Sequence, residues 1–355
     1  MGHDITNDIY VGIDYHQSSV QVCVLDPAGS ILLNRGLANR WQAIASAVVP
    51  LGRMRGAAIE VSCGAADLAE ELVDKAGWSV ELAHPGYVAR MKGSPDKTDF
   101  SDARLLADLT RVGYLPRVWL APPYLRELRR LVRYRQQQVD QRRAIKLRIT
   151  GLLRDHRLRP AASVKAWSRP WWTWLFEEVL LTMPKASAWI LHRHVERLKA
   201  AGAEIASVEE ALREYPCTDS VVEDLLEERG VGEVTAWGIR AEIGQFDRFG
   251  KAKSLSRFCG LSPRNASSGQ RMADAGLVKA GSNLLRATLI ELAHRLTRYE
   301  PRWRAMKEHM RADGKPGSVA AAAVANRWMR GLWHRMRERQ LSRQQGGGEL
   351  VPWLG

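Results

Sequence analysis

The chain has 355 residues, 45% apolar and 26% charged, proportions of a folded protein long enough for two or three domains; a disordered or fibrous chain is excluded. Its formal net charge of +14 points to a polyanionic partner, with nucleic acid first. No window of about eighteen apolar residues occurs and the opening residues lack signal-peptide character, so a cytoplasmic chain with no membrane partner is expected.

Residues 9–37 read as three short strands. YVGIDYH and SVQVCVLD flank the turn HQS, and DPAGS leads into ILLNRGLA. A helix is predicted over 40–50. GAAIEVS (56–62) has the apolar run of a buried parallel strand, and AADLAEELVDKAG has helical spacing ending on Gly77. WSVELAH (78–84) is a further strand, and SDARLLADLTRVG a helix stopped by Gly113. The order βββαβαβα predicts an α/β domain over residues 1–115, in the ribonuclease-H-like arrangement, with a hairpin feeding a parallel sheet.

Residues 124–159 read as a long helix whose apolar stripe fades through RYRQQQVDQRRA. The segment 167–180 holds four tryptophans, read as packing anchors rather than base-stacking platforms. Residues 186–229 read as helical and acidic, giving a middle region of 116–222. A mainly α C-terminal domain of 223–340 follows. In it LLEERGVGEVTAWGIRAEIG resembles a helix-hairpin-helix unit, with Gly230 and Gly232 at a turn suited to gripping a phosphate; a plain αα-hairpin reads equally well. A loop spans 258–282, NLLRATLIELAHRL is a helix, and 326–343 is a basic amphipathic helix. Residues 341–355 are expected to be disordered. Cys23, Cys63, Cys217 and Cys259 show no CxxC spacing, which predicts reduced, mostly buried thiols.

The charge is segregated. Residues 126–159 carry twelve Lys/Arg against three Asp/Glu, a net of +9, whereas 208–230 carry two against eight, a net of −6. That favours a dedicated nucleic-acid surface built on Arg129, Arg130, Arg133, Arg142, Arg143 and Lys146.

Asp14 and Glu60 sit near the ends of their strands, and Asp99 and Asp102 lie three apart at a helix start, on one face. In a ribonuclease-H-like sheet the first and fourth strands are neighbours, so the four carboxylates would converge and need cations to stay ionised. Two Mg²⁺ ions answer that need. Taken singly, Asp14 also suits a turn, Glu60 a buried pair, Asp99 a helix N-cap and Asp102 the positive helix end.

VGIDYHQSSVQVCVLD, IEVSCG and HPGYVARMKGSPDKTDFSDARLLADL together resemble the N-terminal domain of the DEDD transposases of bacterial insertion sequences, RuvC-like recombinases related to Piv-type DNA invertases. GVGEVTAWGIRAEIGQFDRF, GLSPRNASSGQ and KAGSNLLR resemble that family's C-terminal transposase domain. The resemblance implies that Asp14, Glu60, Asp99 and Asp102 are an acidic tetrad holding Mg²⁺. It also implies that the serine before glycine in SSG, Ser268 (with Ser267 adjacent), attacks DNA to form a covalent intermediate. Without the family, Ser268 reads as a turn residue. Further implied are a homodimer or homotetramer, a structured noncoding guide RNA (a bridge RNA) and element-end and target DNA as partners. IDYH, VSCG and RMADAG depart from the family's usual residues, with Lys279 kept as a basic contact. A RuvC-like nuclease acting through metal-activated water is the alternative function.

Overall fold

The computed structural model describes residues 7–92, 98–215, 219–265, 274–278 and 281–345. Packing divides the chain between Ala121 and Pro122 into two compact units, and the middle and C-terminal helices share the second.

The first unit is built on a six-stranded sheet of order β3-β2-β1-β4-β5-β6. β1 (Asp8–Tyr15), β2 (Ser19–Leu25) and β3 (Ile31–Ala38) form an antiparallel meander. β4 (Arg53–Glu60) runs parallel to β1, and β5 (Val80–Ala83) parallel to β4. The two-residue β6 (Arg117–Val118), absent from the sequence reading, closes the edge antiparallel to β5. The mixed order is consistent with the ribonuclease-H-like arrangement expected.

Side chains alternate across a strand, so β1 serves two layers. Ile9, Val11 and Ile13 are fully buried in one core with Val20, Val22 and Val24, beneath α1 (Trp41–Val48) and α2 (Ala65–Ala76). Each such aliphatic side chain contributes roughly 1.5–3 kcal/mol by leaving water. Gly12, Cys23, Leu25 and Ala58 face the opposite layer, made by α4 (Asp99–Arg111) through Ala103, Leu106 and Ala107. The four-residue α3 (Pro85–Val88) tucks Val88 into the same layer.

The second unit opens with α5 (Pro123–Asp155), whose 33 residues span about 50 Å at 1.5 Å each. It pairs with α8 (Lys185–Glu214) in an antiparallel hairpin, His156 meeting Ser187 at 2.9 Å near one end and Arg135 meeting Glu209 farther along. The inward row of α5 is Leu125, Leu128, Val132, Gln138, Ile145, Ile149 and Leu153, and α8 answers with Leu191, Val195, Leu198, Ala201, Ile205, Val208 and Leu212. The stretch without an apolar stripe is therefore covered by α8, with Arg135 on Glu209 at 2.6 Å and Tyr134 donating to Glu204 at 2.9 Å. At the connection, α6 (Arg169–Trp174), a π-helical turn over Leu175–Val179 and α7 (Leu180–Thr182) pack the tryptophans together. Trp171 is buried with Ile145, Ile149, Leu175 and Leu191, Trp172 lies edge-on to it, and Trp167 and Trp174 are tilted against it. All four tryptophans of 167–174 thus pack in one cluster.

The remaining helices are α9 (Ser220–Leu226), α10 (Glu233–Ile243), α11 (Ala252–Phe258), α12 (Asn283–Tyr299), α13 (Pro301–Ala312) and α14 (Gly317–Gln345). β7 (Pro263–Asn265) and β8 (Asp274–Leu277) form a small antiparallel hairpin within the stretch read as loop, and α11 and α13 were not expected. α14 begins nine residues before the helix predicted at 326, because SVAAAAVA carries high helix propensity and Ala320, Ala321, Val324 and Ala325 are buried. α10 is buried from Thr235 to Ile243. Its Arg240 is held by Asp219 at 2.6 Å, the Gly244 carbonyl and the Tyr124 hydroxyl, while Asp219 also caps α9 by accepting from the Val221 amide. A buried ion pair persists only when its remaining donors are satisfied in this way.

Cys23 and Cys259 are buried free thiols, which burial pushes up to about 11 and about 12, whereas Cys63 is exposed, because it lies in the turn ahead of α2. Cys217 lies outside the described residues.

Candidate metal centre and nucleic-acid residues

The acidic site is assembled by strand alternation and one close helix crossing. In the parallel pair Ile13 stands opposite Ile59, so the next residues, Asp14 and Glu60, end adjacent strands side by side. Ile13 and Ile59 are buried with α1 and α2, so Asp14 and Glu60 are on the α4 side of the sheet. α4 crosses β1 at Gly12, where a Cβ would stand 2.0 Å from the Ala103 carbonyl oxygen and 2.4 Å from the Ala107 amide. Only glycine permits that approach, and it draws the first turn of α4 to the strand ends. Gly12 escaped the sequence reading, although a lone glycine inside an apolar strand is the recognised signal of a close backbone approach.

Thr98, not Asp99, caps α4. Its hydroxyl accepts from the Ser101 amide at 3.2 Å, and the Ser101 hydroxyl lies 3.4 Å from the Thr98 amide as the reciprocal half of a capping box. Asp99 is the first helical residue, so its carboxylate is released from capping and left 56% exposed. There it meets His16, whose Nε2 stands 3.2 Å from Asp99 Oδ2 and 3.3 Å from Asp14 Oδ2. Among the described residues Asp14, His16 and Asp99 form the group able to hold a metal ion, their ligand atoms lying within 4.8 Å of one another.

Asp102 is placed differently. It is buried, and Lys92 Nζ reaches both of its oxygens at 2.6 Å. Glu60 is half-buried at the end of β4. The structure thus joins Asp14 to Asp99 through His16, sets Glu60 beside Asp14 through the strand register, and holds Asp102 with Lys92. His16 and Lys92 were missed. His16 stands two residues after Asp14 in IDYH, a signal that was available; Lys92 reaches across from a separate loop, and nothing local announces it. Hard carboxylate oxygens with one imidazole nitrogen are a donor set suited to a divalent cation.

The expected nucleic-acid residues divide into two groups. Arg129 donates to the Ala241 carbonyl, and burial lowers its guanidinium below the usual arginine value. Arg133 grips the buried Glu242 at 3.1 and 3.3 Å, and Arg130 pairs with Glu127. Arg129 and Arg133 dock α5 on α10 and Arg130 pairs along the helix, the side chains of Arg130 and Arg133 staying 65% and 59% exposed. The acidic run is absorbed in the same way: Asp224 is held by Arg343 and Arg339, and Glu228 by Arg335 at 2.7 Å. Arg135 of the basic run meets the acidic run at Glu209, while Asp224 and Glu228 of that run are held by arginines of α14. Lys146 lies over the Trp167 ring at 4.9 Å, Arg142 is half-buried and Arg143 is exposed.

Gly230 and Gly232 are exposed at the turn between α9 and α10. Gly232 caps α10 without a side-chain hydrogen bond, and Glu233 in the first turn pairs with Arg213. Ser267, Ser268 and Lys279 lie outside the described residues.

No helix among the described residues is long and apolar enough to cross a membrane. Residues 11–157 match a sequence model of the DEDD transposases, described as "Transposase", and residues 222–308 match one described as "Transposase IS116/IS110/IS902 family". The transposase for insertion sequence element IS1111A of Coxiella burnetii is 26% identical over 298 residues, covering 81% of this chain and 78% of that protein. A Pseudomonas aeruginosa chain described as "Probable family 20 transposase" is 25% identical, covering 77% and 81%. Two models from one family, matching in order across both units, with relatives alike over three quarters of their lengths, lead to one conclusion: the chain belongs to the IS110 family of DEDD transposases.

Proposed function

We propose that the chain cuts and rejoins DNA for the mobility of an insertion sequence, with Mg²⁺ held by Asp14, Glu60, Asp99 and Asp102 of a RuvC-like domain and with Ser268 as nucleophile. The observation that carries this reading is the meeting of Asp14 and Asp99, 85 positions apart, on the sheet face and at the strand ends where Glu60 also stands. Carboxylates gathered at one point repel unless cations are shared among them.

The serine hydroxyl of Ser268 attacks a DNA phosphorus, the bond to the leaving deoxyribose oxygen breaks, and that oxygen departs as a hydroxyl with a proton from solvent. The serine proton goes to solvent, so protons balance. The phosphoserine ester keeps the bond energy, and a hydroxyl of the incoming strand then displaces Ser268 to rejoin the DNA. Bound Mg²⁺ would supply electrostatic stabilisation of the charge growing on the phosphoryl oxygens. Lys92 neutralises Asp102 and fixes its orientation, and Gly12 keeps α4 close enough for its first turn to face the strand ends. A bridge RNA would carry sequence choice, with Arg142, Arg143 and Lys146 on its phosphates and Gly230, Gly232 and Lys279 on DNA. A homodimer or homotetramer would bring the tetrad of one protomer to Ser268 of another.

Strand exchange on element-end DNA with the cognate RNA and Mg²⁺ tests the reading. Ser268→Ala and Asp102→Ala are each expected to abolish it, and retention of full exchange by both would refute the mechanism. The runner-up, a RuvC-like nuclease, is favoured by the acidic centre alone, since such a centre suffices to activate water for hydrolysis. A covalent protein–DNA adduct lost in Ser268→Ala selects the recombinase; cleavage that persists in Ser268→Ala without an adduct selects the nuclease.

A further inference from the structure

We infer that His16 is itself a metal ligand, and that its nitrogen makes the Asp14–Asp99 position a site that accepts first-row transition cations, Mn²⁺ included, more readily than Mg²⁺. The inference rests on the metal reading of the acidic centre given above and adds to it a donor outside the tetrad.

The geometry singles out this residue. His16 Nε2 stands 3.3 Å from Asp14 Oδ2 and 3.2 Å from Asp99 Oδ2. Neighbouring donors on one cation with bonds of about 2.1 Å are separated by about 3.0 Å in octahedral and about 3.4 Å in tetrahedral coordination, so both distances fit a shared ion. The three donors come from the end of β1, the turn after it and the first turn of α4. They form a face with 47% of the His16 side chain and 56% of the Asp99 side chain open to solvent, leaving room for water and a phosphate oxygen. Asp102, in contrast, has both oxygens on Lys92, so the centre is asymmetric: one position has an imidazole donor and the other a carboxylate already matched by an ammonium.

Donor softness then sets the preference. Mg²⁺ keeps oxygen ligands and several waters, whereas first-row transition ions add an imidazole to the set; Mn²⁺, the one among them that most favours oxygen donors, gains least and is the stringent probe. Lys92 cannot supply that nitrogen while it is charged, and the remaining tetrad members are carboxylates. A purely structural His16, pairing with two carboxylates as a cation, would compete with metal instead of binding it, which makes the two roles separable.

The test uses the full chain loaded with Mn²⁺ and pulsed electron paramagnetic resonance, which reads ¹⁴N coupling to the ion directly. Wild type is expected to show histidine ¹⁴N modulation that is lost in His16→Gln. Mn²⁺ affinity of the variant should fall by about tenfold or more while Mg²⁺ affinity changes little. His16 is half exposed, so its replacement leaves the core untouched. Mn²⁺ bound without ¹⁴N modulation, or with modulation surviving in His16→Gln, overturns the ligation by His16 and leaves the acidic centre standing. Failure of both proteins to bind Mn²⁺ or Mg²⁺ overturns the centre itself together with this inference. A rise in metal affinity in His16→Gln identifies the competing cation role and equally sinks it.

Discussion

Both units close carboxylates with arginine, Asp8, Glu81 and Asp108 of the sheet unit included, but Asp14 and Asp99 are held differently. In the helical unit Glu209, Asp219, Asp224, Glu228 and Glu242 each meet an arginine, at 2.6 Å for Asp219 and 2.7 Å for Glu228, and four of the five are buried. In the sheet unit Asp14 and Asp99 meet each other across a histidine, with Asp99 open to solvent. A carboxylate closed by a guanidinium fork has its lone pairs committed, and its work is to hold helices together. A carboxylate that faces another carboxylate gains most from a cation that can enter and leave. The residue type is the same, and the partner decides between scaffold and chemistry.

The sharpest way to break this comparison is to neutralise one acid of each kind. Asp14→Asn is expected to lower strand exchange by at least about 10³-fold, because a ligand of the proposed metal is lost together with the stabilisation that metal gives the transition state. Its unfolding free energy should move by no more than about 1 kcal/mol, as befits a half-open pair. Exchange within tenfold of wild type would place Asp14 among the scaffold acids. Asp219→Ala should behave in reverse. It leaves Arg240 buried and uncompensated, a loss of about 3–5 kcal/mol readable by urea denaturation. Exchanging Asp219 and Arg240 together for apolar residues of similar volume should recover much of that loss, and Mn²⁺ affinity should not change in any of these variants. A smaller effect is expected for Arg335→Ala, about 1–2 kcal/mol, since Glu228 loses its fork but Arg339 remains 3.7 Å away.

How far the sequence reveals this division depends on the range of the interactions. The strands of the sheet were legible because β1 and β2 alternate between turn residues and β4 is a short apolar run bounded by glycine. The ribonuclease-H-like strand order, with its first and fourth strands adjacent, then set Asp14 beside Glu60, as the pairing of β1 with β4 has it. The start of α4 was legible to within two residues, and the exchange of cap between Asp99 and Thr98 needed the actual backbone angles, extended at Thr98. The arginine pairs were not legible. Arg133 and Glu242 are 109 positions apart, and Arg335 and Glu228 are 107 apart, so a local charge count cannot anticipate either pair. The same holds for Lys92 on Asp102, which only the approach of α4 to the sheet brings about. α11 was missed because it is only seven residues long and packs on α14, far along the chain, and β7 and β8 because they are only three and four residues long.

The comparison also predicts which basic residues of α5 still serve nucleic acid, and Arg133 and Arg143 decide it. Both are surface residues on one helix and a residue count cannot tell them apart. Arg133 has its charge matched by Glu242, whose side chain is only 6% exposed, so binding a phosphate would strip that acid of its partner. Arg143 is exposed, and no hydrogen bond or ion pair holds it among the described residues. A cation without an internal counter-charge displaces condensed counterions when it meets a phosphate; one already neutralised displaces none. Arg143→Ala should therefore weaken binding to RNA or DNA by a few-fold and make the slope of log K against log salt shallower by about 1, with an unchanged melting temperature. Arg133→Ala should leave the salt slope alone and cost about 1 kcal/mol of stability, since Glu242 loses its two hydrogen bonds from Arg133 but keeps the charge of Arg129 nearby. The comparison fails if the slopes move equally, since Glu242 would then be releasing Arg133 to the nucleic acid, and an internal ion pair would be part of the binding surface after all.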